Sequence, residues 1–148
     1  MRVLLQRVKE ASVVIDGECV GNIGQGLLLF LGVTHGDTQA EADALAEKAV
    51  NLRVFDDDNG VMNRSVLDVG GEMLVVSQFT LYGDTRKGRR PSYVAAAPGD
   101  VSEPLYEYFV KRVRELSGVK VATGRFGADM KVRLVNDGPC TLYLEKEH

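Results

Sequence analysis

The chain has 148 residues, 45% of them hydrophobic and 26% charged, with a formal net charge of -3. A chain of this length is most simply one domain, residues 1–148, able to bury roughly two thirds of its unfolded surface without a disulfide or metal staple. The balance excludes a disordered tail and a polycation that binds nucleic acid indiscriminately, and the longest apolar run, Leu27 to Leu31, is far too short to span a bilayer. Met1-Arg2-Val3-Leu4-Leu5 passes straight into a strand pattern with no long apolar leader, which argues against secretion. Cys19 and Cys140 stand far apart and outside any Cys-x-x-Cys pattern, so they read as reduced thiols of a cytoplasmic protein.

Val13-Val14-Ile15 and Glu18-Cys19-Val20 flank Asp16-Gly17, the signal of a two-residue type I′ hairpin. Leu27 to Val33 is apolar almost throughout, as expected of a strand covered on both faces. Then the period changes. Thr38-Gln39-Ala40-Glu41 has the form of a capping box, and Ala42, Leu45, Ala46, Ala49 and Leu52 share one helical stripe. Arg53-Val54-Phe55 reads as a short strand, Asp58-Asn59-Gly60 and Gly70-Gly71 as turns, and Glu72 to Tyr82 as one long strand. A second helix is predicted from near Ser102, carrying Leu105, Phe109, Val113 and Leu116 inward and ending at Gly118. Val119 to Thr123, Met130 to Val135 and Thr141 to Glu145 read as the remaining strands. About seven or more strands and two main helices predict an α/β fold, a mixed sheet or flattened barrel with the helices packed on one side.

Several familiar patterns dissolve on counting. Gly21-Asn22-Ile23-Gly24-Gln25-Gly26 has the wrong order for a dinucleotide fingerprint and lies between strands. Asp56-Asp57-Asp58-Asn59-Gly60 fails as a calcium loop, because setting Gly60 at the sixth position puts Phe55 where a ligand is needed and Val66 where the bidentate Glu belongs. With His35 and the terminal His148 as the only histidines, a protein-bound zinc site is not supported. A Cys140–His35 nucleophile pair is conceivable, but Cys140 follows Pro139 at a strand start, where a small buried side chain is the usual outcome.

Two stretches remain: Ser77-Gln78-Phe79-Thr80-Leu81-Tyr82 and Asn136-Asp137-Gly138-Pro139-Cys140-Thr141. As strand residues, Gln78, Thr80 and Tyr82 would share one face and Ser77, Phe79 and Leu81 the other. Taken alone, this reads as an ordinary strand whose polar groups find backbone partners, and Gly138-Pro139 as a hairpin turn between two strands. Between Asp84 and Tyr93, Arg86, Lys87, Arg89 and Arg90 face a single anion, a pattern that fits either a solvated loop or a patch for one polyanion.

Together these stretches, with Gln6-Arg7-Val8, Asp84 to Pro91 and Phe126-Gly127-Ala128-Asp129-Met130, resemble the D-aminoacyl-tRNA deacylase family along the whole chain. The resemblance implies a three-layer β/β/α fold and a hydrolase of the ester of D-aminoacyl-tRNA and mischarged glycyl-tRNA, working without a cofactor or a metal. It implies that Ser77, Gln78, Phe79 and Thr80 line the catalytic site, with backbone N–H donors near Phe79. Gly138 and Pro139 then form a cis-peptide chiral filter, buttressed by Arg7 and Met130, whose carbonyls hold the α-ammonium so that an L side chain would collide with the backbone. Arg86, Lys87, Arg89 and Arg90 become the tRNA-facing surface. The partners implied are the acceptor end of aminoacyl-tRNA and a second copy of the chain whose Gly-Pro motif enters the pocket, with no DNA and no membrane. Since no His is placed to activate Ser77 or Thr80, the resemblance favours assistance from the 2′-hydroxyl of the terminal ribose. Two alternatives stay open: a non-catalytic tRNA-binding module, and a conventional serine or cysteine hydrolase of small esters.

Overall fold

A computed structural model describes residues 1–148. The strands are β1 (Arg2–Ile15), β2 (Glu18–Ile23), β3 (Gly26–Gly32), β4 (Phe55–Asp56), β5 (Met62–Arg64), β6 (Glu72–Ser77), β7 (Val121–Thr123) and β8 (Lys131–Glu145); the helices are α1 (Gln39–Asn51) and α2 (Gly99–Ser117). A 3-10 helix, Phe79–Tyr82, follows β6. The main sheet runs β2-β1-β3-β6-β7, with β8 along the other side of β1, and it curls into a nearly closed barrel. β4 and β5 form a separate ribbon.

β1 is the spine. Its first half pairs with β3, its second half with β2, and nearly its whole length with β8. The predicted hairpin is there: Asp16 and Gly17 take φ of 51° and 79°, the left-handed pair a type I′ turn needs. β3 and β6 run parallel and are buried on both faces, so Leu27, Leu29, Leu31, Met73 and Val75 point into one core while Leu28, Leu74 and Val76 point into the other. The larger core lies under both helices, taking Ala42, Leu45, Ala46 and Ala49 from α1 and Tyr106, Phe109 and Val113 from α2. No helix residue enters the smaller core, so both helices do lie on one side. α1 starts as its sequence predicts: Thr38 Oγ1 accepts from the Ala40 N–H, and the Glu41 carboxylate accepts from the Thr38 N–H at 2.8 Å. No helix is long and apolar enough to cross a membrane.

Several expectations are corrected. The predicted strand Glu72 to Tyr82 stops at Ser77, because its partner β3 ends there: Leu31 pairs with Ser77, the Gln78 N–H makes a last bond to Leu31 O, and the chain turns into the 3-10 helix. The two-face alternation of residues 77 to 82 goes with it. Met130 to Val135 and Thr141 to Glu145 are not a hairpin; both belong to β8 and both pair with β1. Between them the residues opposite Arg7 leave the ladder as a short excursion, with Val8 facing Asn136 and Gln6 facing Thr141. Lastly, α2 begins at Gly99, earlier than Ser102, since the Pro98 carbonyl already accepts from the Val101 and Ser102 N–H groups. Its buried stripe adds Tyr106 and Val110, leaving Leu105 and Leu116 half-buried at its margin; Gly118 caps it at φ 66°, as predicted. The short strands at Arg53 and Val119 each begin two residues later than the sequence suggests.

Candidate active site

A cleft of about 390 Å³ opens where β6 gives way to the 3-10 helix, a volume within the usual range for a small-molecule site. Ser77, Gln78 and Phe79 form one wall; Phe126, Ala128, Asp129 and Met130, on the approach to β8, form the other. The floor is apolar, with Leu31, Val76 and Val132, and Tyr106 of α2 closes one end by donating its hydroxyl to Val75 O at 2.8 Å. Tyr106 packs against Phe126 at 6.0 Å between ring centroids. Sequence reasoning assigned no role to Ser102, Tyr106 or Phe126. Their signal was hidden because α2 presents Ser102 and Tyr106 from within its core stripe.

The 3-10 helix changes what this wall can offer. The Leu81 N–H closes on Gln78 O at 3.2 Å, so the N–H groups of Phe79 and Thr80 open the turn with no intrahelical acceptor. Two adjacent free donors beside a polar side chain are the elements of an oxyanion site. Gln78 Nε2 donates to Thr80 Oγ1, which ties the two side chains together. Thr80 itself is exposed and stands outside the cleft lining. Phe79 is 57% exposed and leans edge-on against Tyr93, with ring centroids 5.2 Å apart.

The lining holds no histidine and no lysine. Burial pushes the Tyr106 phenol up to about 12, so it stays protonated. The one carboxylate of the lining, Asp129, is exposed and pairs with Lys131 Nζ at 3.0 Å. His35 is engaged elsewhere, with Nε2 at 2.8 Å from Val94 O, and Cys140 is buried in the helix-side core, so no hydrogen bond joins the two. The nucleophile pair considered from sequence does not form.

Gly138 and Pro139 lie at the tip of the excursion from β8, exposed, and joined by a cis peptide. Arg7 fixes its base: Nε donates to Asp137 O at 2.9 Å and Nη1 to Val54 O at 2.5 Å, with the Asp137 and Asp56 carboxylates at 3.5 and 3.6 Å. Asn136 Nδ2 staples the same base by donating to Arg7 O at 3.0 Å and Cys140 O at 3.2 Å. Arg7 is 6% exposed, and replacing it by Met should destabilise the fold by about 3 kcal/mol, because the Val54 and Asp137 carbonyls lose a charged donor. Urea denaturation reads this directly; a loss below about 1 kcal/mol would show that other groups serve those carbonyls.

Met130 and the Gly-Pro motif stand apart within one chain. Met130 lies beyond Lys131, which pairs with Val14, whereas the excursion faces Arg7, about 20 Å away along β1. Met130 instead belongs to the cleft wall.

The basic residues project from the rim. Asp84 and Ser92 close the loop with reciprocal backbone bonds of 2.7 and 2.9 Å, next to Tyr93. Arg86 turns back onto Asp84 and holds its carboxyl down at about 2. Lys87, Arg89 and Arg90 are exposed and carry no ion pair.

Residues 4–145 match the family model described as D-Tyr-tRNA(Tyr) deacylase. The D-aminoacyl-tRNA deacylase of Thermomicrobium roseum is 61% identical over 145 residues, covering 98% of this chain and 94% of that one. Its counterpart in Bacillus cytotoxicus is 57% identical over 147 residues, covering 99% and 100%. Among solved structures, one described as c-Myc DNA Unwinding Element Binding Protein superposes with a TM-score of 0.95 at 39% identity over 100% of both chains. Another, described as a probable eukaryotic D-amino acid tRNA deacylase, reaches 0.83 at 20% identity over 97% of both, which shows a shared fold. By this match along nearly its whole length, the chain belongs to the D-Tyr-tRNA(Tyr) deacylase family.

Proposed function

We propose that residues 1–148 act as one cytoplasmic unit that hydrolyses the ester bond of D-aminoacyl-tRNA, and of mischarged glycyl-tRNA, to free amino acid and tRNA. Family membership across nearly the whole chain carries this reading. The cleft suits it. The Phe79 and Thr80 N–H groups would take the oxyanion of the attacked ester, each such donor being worth about 3 kcal/mol in the transition state. With no histidine in the lining, the vicinal 2′-hydroxyl of the terminal ribose helps water attack, and the protein positions the ester.

Chirality is read by Gly138 and Pro139 of a second copy of the chain. Within one chain Gly138 and Pro139 stand outside the cleft lining, while Val135 and Tyr143 of β8 are 48% and 52% exposed, surface available to that copy. The turn's two carbonyls accept from the α-ammonium, leaving hydrogen and the side chain as the only substituents that inversion exchanges. An L side chain then meets backbone, whereas a D side chain points outward and glycine passes.

Parallel deacylation of D-, L- and glycyl-tRNA by the purified protein tests the reading. Release from the D and glycyl substrates with refusal of L is expected. Tight binding without release would indicate a tRNA-binding module, and equal release from all three would remove the filter.

Lys87, Arg89 and Arg90, free of acidic partners, would meet acceptor-stem phosphates. Replacing Arg89 and Arg90 by Gln should weaken tRNA binding for every amino acid alike and lower the slope of log affinity against log salt by about 2. Discrimination between D and L should not change. Equal slopes in variant and parent would make this loop a solvated surface, and strong competition by duplex DNA would favour the binding named for the 39% identical structure.

A further inference from the structure

Arg2 is the first residue of β1, far from the cleft in sequence, yet it touches the turn that forms the cleft wall. Its Nη1 donates to Leu81 O at 2.8 Å, satisfying a carbonyl at the end of the 3-10 helix that the helix cannot satisfy itself. Its Nε donates to the Glu145 carboxylate at 2.6 Å. The guanidinium carbon sits 4.2 Å from the centroid of Tyr82, the last residue of the turn, and 5.8 Å from that of Tyr143. One side chain thus joins the turn to the end of β8 through a hydrogen bond, an ion pair and two ring faces, a combination only a planar fork of donors provides. Tyr82 stays protonated, since burial pushes its phenol well above the usual range.

Gly32 holds the other side of the turn. A Cβ there would lie 3.2 Å from Gln78 O and 3.0 Å from Leu81 Cβ, so the turn rests directly on the β3 backbone. With Gly32 beneath it and Arg2 gripping Leu81 O, the turn has little freedom to rotate, and its rotation sets where the Phe79 and Thr80 N–H groups point. We propose that Arg2 is a positioning residue for the oxyanion donors of the 3-10 turn. This rests on the proposed ester hydrolysis and adds a residue outside the cleft to its machinery.

Three variants test it: Arg2→Ala, Arg2→Lys and Glu145→Gln. Arg2→Ala should lower kcat on D-aminoacyl-tRNA about tenfold with KM within about twofold, as expected when donors shift by a fraction of an ångström while substrate contacts persist. Arg2→Lys, which keeps the charge but cannot grip Leu81 O while stacking on Tyr82, should fall between Arg2→Ala and the parent. Glu145→Gln, which leaves the Leu81 bond in place, should stay within about twofold of the parent kcat. Hydrogen exchange supplies a readout independent of substrate: the Leu81 and Gly83 amides should exchange faster in both Arg2 variants, with β3 and β6 amides unchanged.

A parental kcat in both Arg2 variants, a loss of kcat with unchanged exchange in the turn, or exchange rising equally through β3 and β6 would overturn the proposal. If Arg2→Ala does not fold, the Arg2→Lys arm decides. A parent that releases nothing from D-aminoacyl-tRNA would count against the proposed function instead, and the exchange arm would still decide for or against Arg2.

Discussion

Replacing the 2′-hydroxyl of the terminal ribose by hydrogen should nearly abolish turnover, while Thr80→Ala should cost less than about tenfold. The asymmetry follows from what surrounds Thr80. Its hydroxyl is exposed, lies outside the cleft lining, and accepts from the Gln78 amide with no base beside it. A hydroxyl in that setting is a hydrogen-bond partner worth about 1 kcal/mol, so its loss costs under about tenfold in kcat. Deleting a true nucleophile costs on the order of 10⁶-fold. The substrate's own hydroxyl, by contrast, is the one group in this chemistry adjacent to the ester and able to exchange a proton with the attacking water. Single-turnover release from tRNA ending in 2′-deoxyadenosine, beside the Thr80→Ala enzyme on natural tRNA, separates the two. An inactive Thr80→Ala protein together with a trapped acyl-threonine would sink the substrate-assisted route.

Mixing two inactive variants should restore activity. Gln78→Ala removes a polar group of the cleft wall. Changing both Gly138 and Pro139 to Ala disturbs the filter, since a Cβ at Gly138 would lie 2.9 Å from Asn136 Oδ1 and Asn136 cannot yield without releasing Arg7 O and Cys140 O. If each site combines the cleft of one copy with the turn of the other, a mixed dimer carries both defects in one site and neither in the other. Random pairing through a two-fold interface then returns about one quarter of the parental rate, with L-aminoacyl-tRNA still refused. Heterodimers that form and stay inactive, or a fully active monomer, would refute the cross-chain arrangement.

What the sequence made legible was local. The Asp16-Gly17 turn and the Thr38–Glu41 capping box each depend on a few adjacent residues, and both appear as read. The layers were legible too, because a strand buried on both faces must be apolar at every position, as Leu27 to Leu31 is. What failed was decided at a distance. Nothing in Phe79-Thr80-Leu81-Tyr82 announces that its partner strand ends at Gly32, yet that ending converts a predicted strand into the turn that frees two N–H groups. The run from Met130 to Glu145 looked like a hairpin because Gly-Pro usually marks one; only pairing with β1, more than a hundred residues away, makes it one strand. A family motif names the residues that cooperate without saying whether they meet within one chain or across two.

The excursion at Gly138 sits at a particular place in the sheet. In the upper halves of β1 and β8, Val3, Leu5, Cys140 and Leu144 face the helix-side core; in the lower halves, Val13, Ala11, Val132 and Leu134 face the other core. The two strands exchange their buried faces at the irregularities between Gln6 and Glu10, and the Gly-Pro turn leaves the ladder at that seam. A seam belongs to neither core. Chain can depart from it without opening either hydrophobic layer to water, so the turn's shape is free to be set by the demands of recognition, and the sheet on both sides asks nothing of it except that Arg7 and Asn136 hold the door.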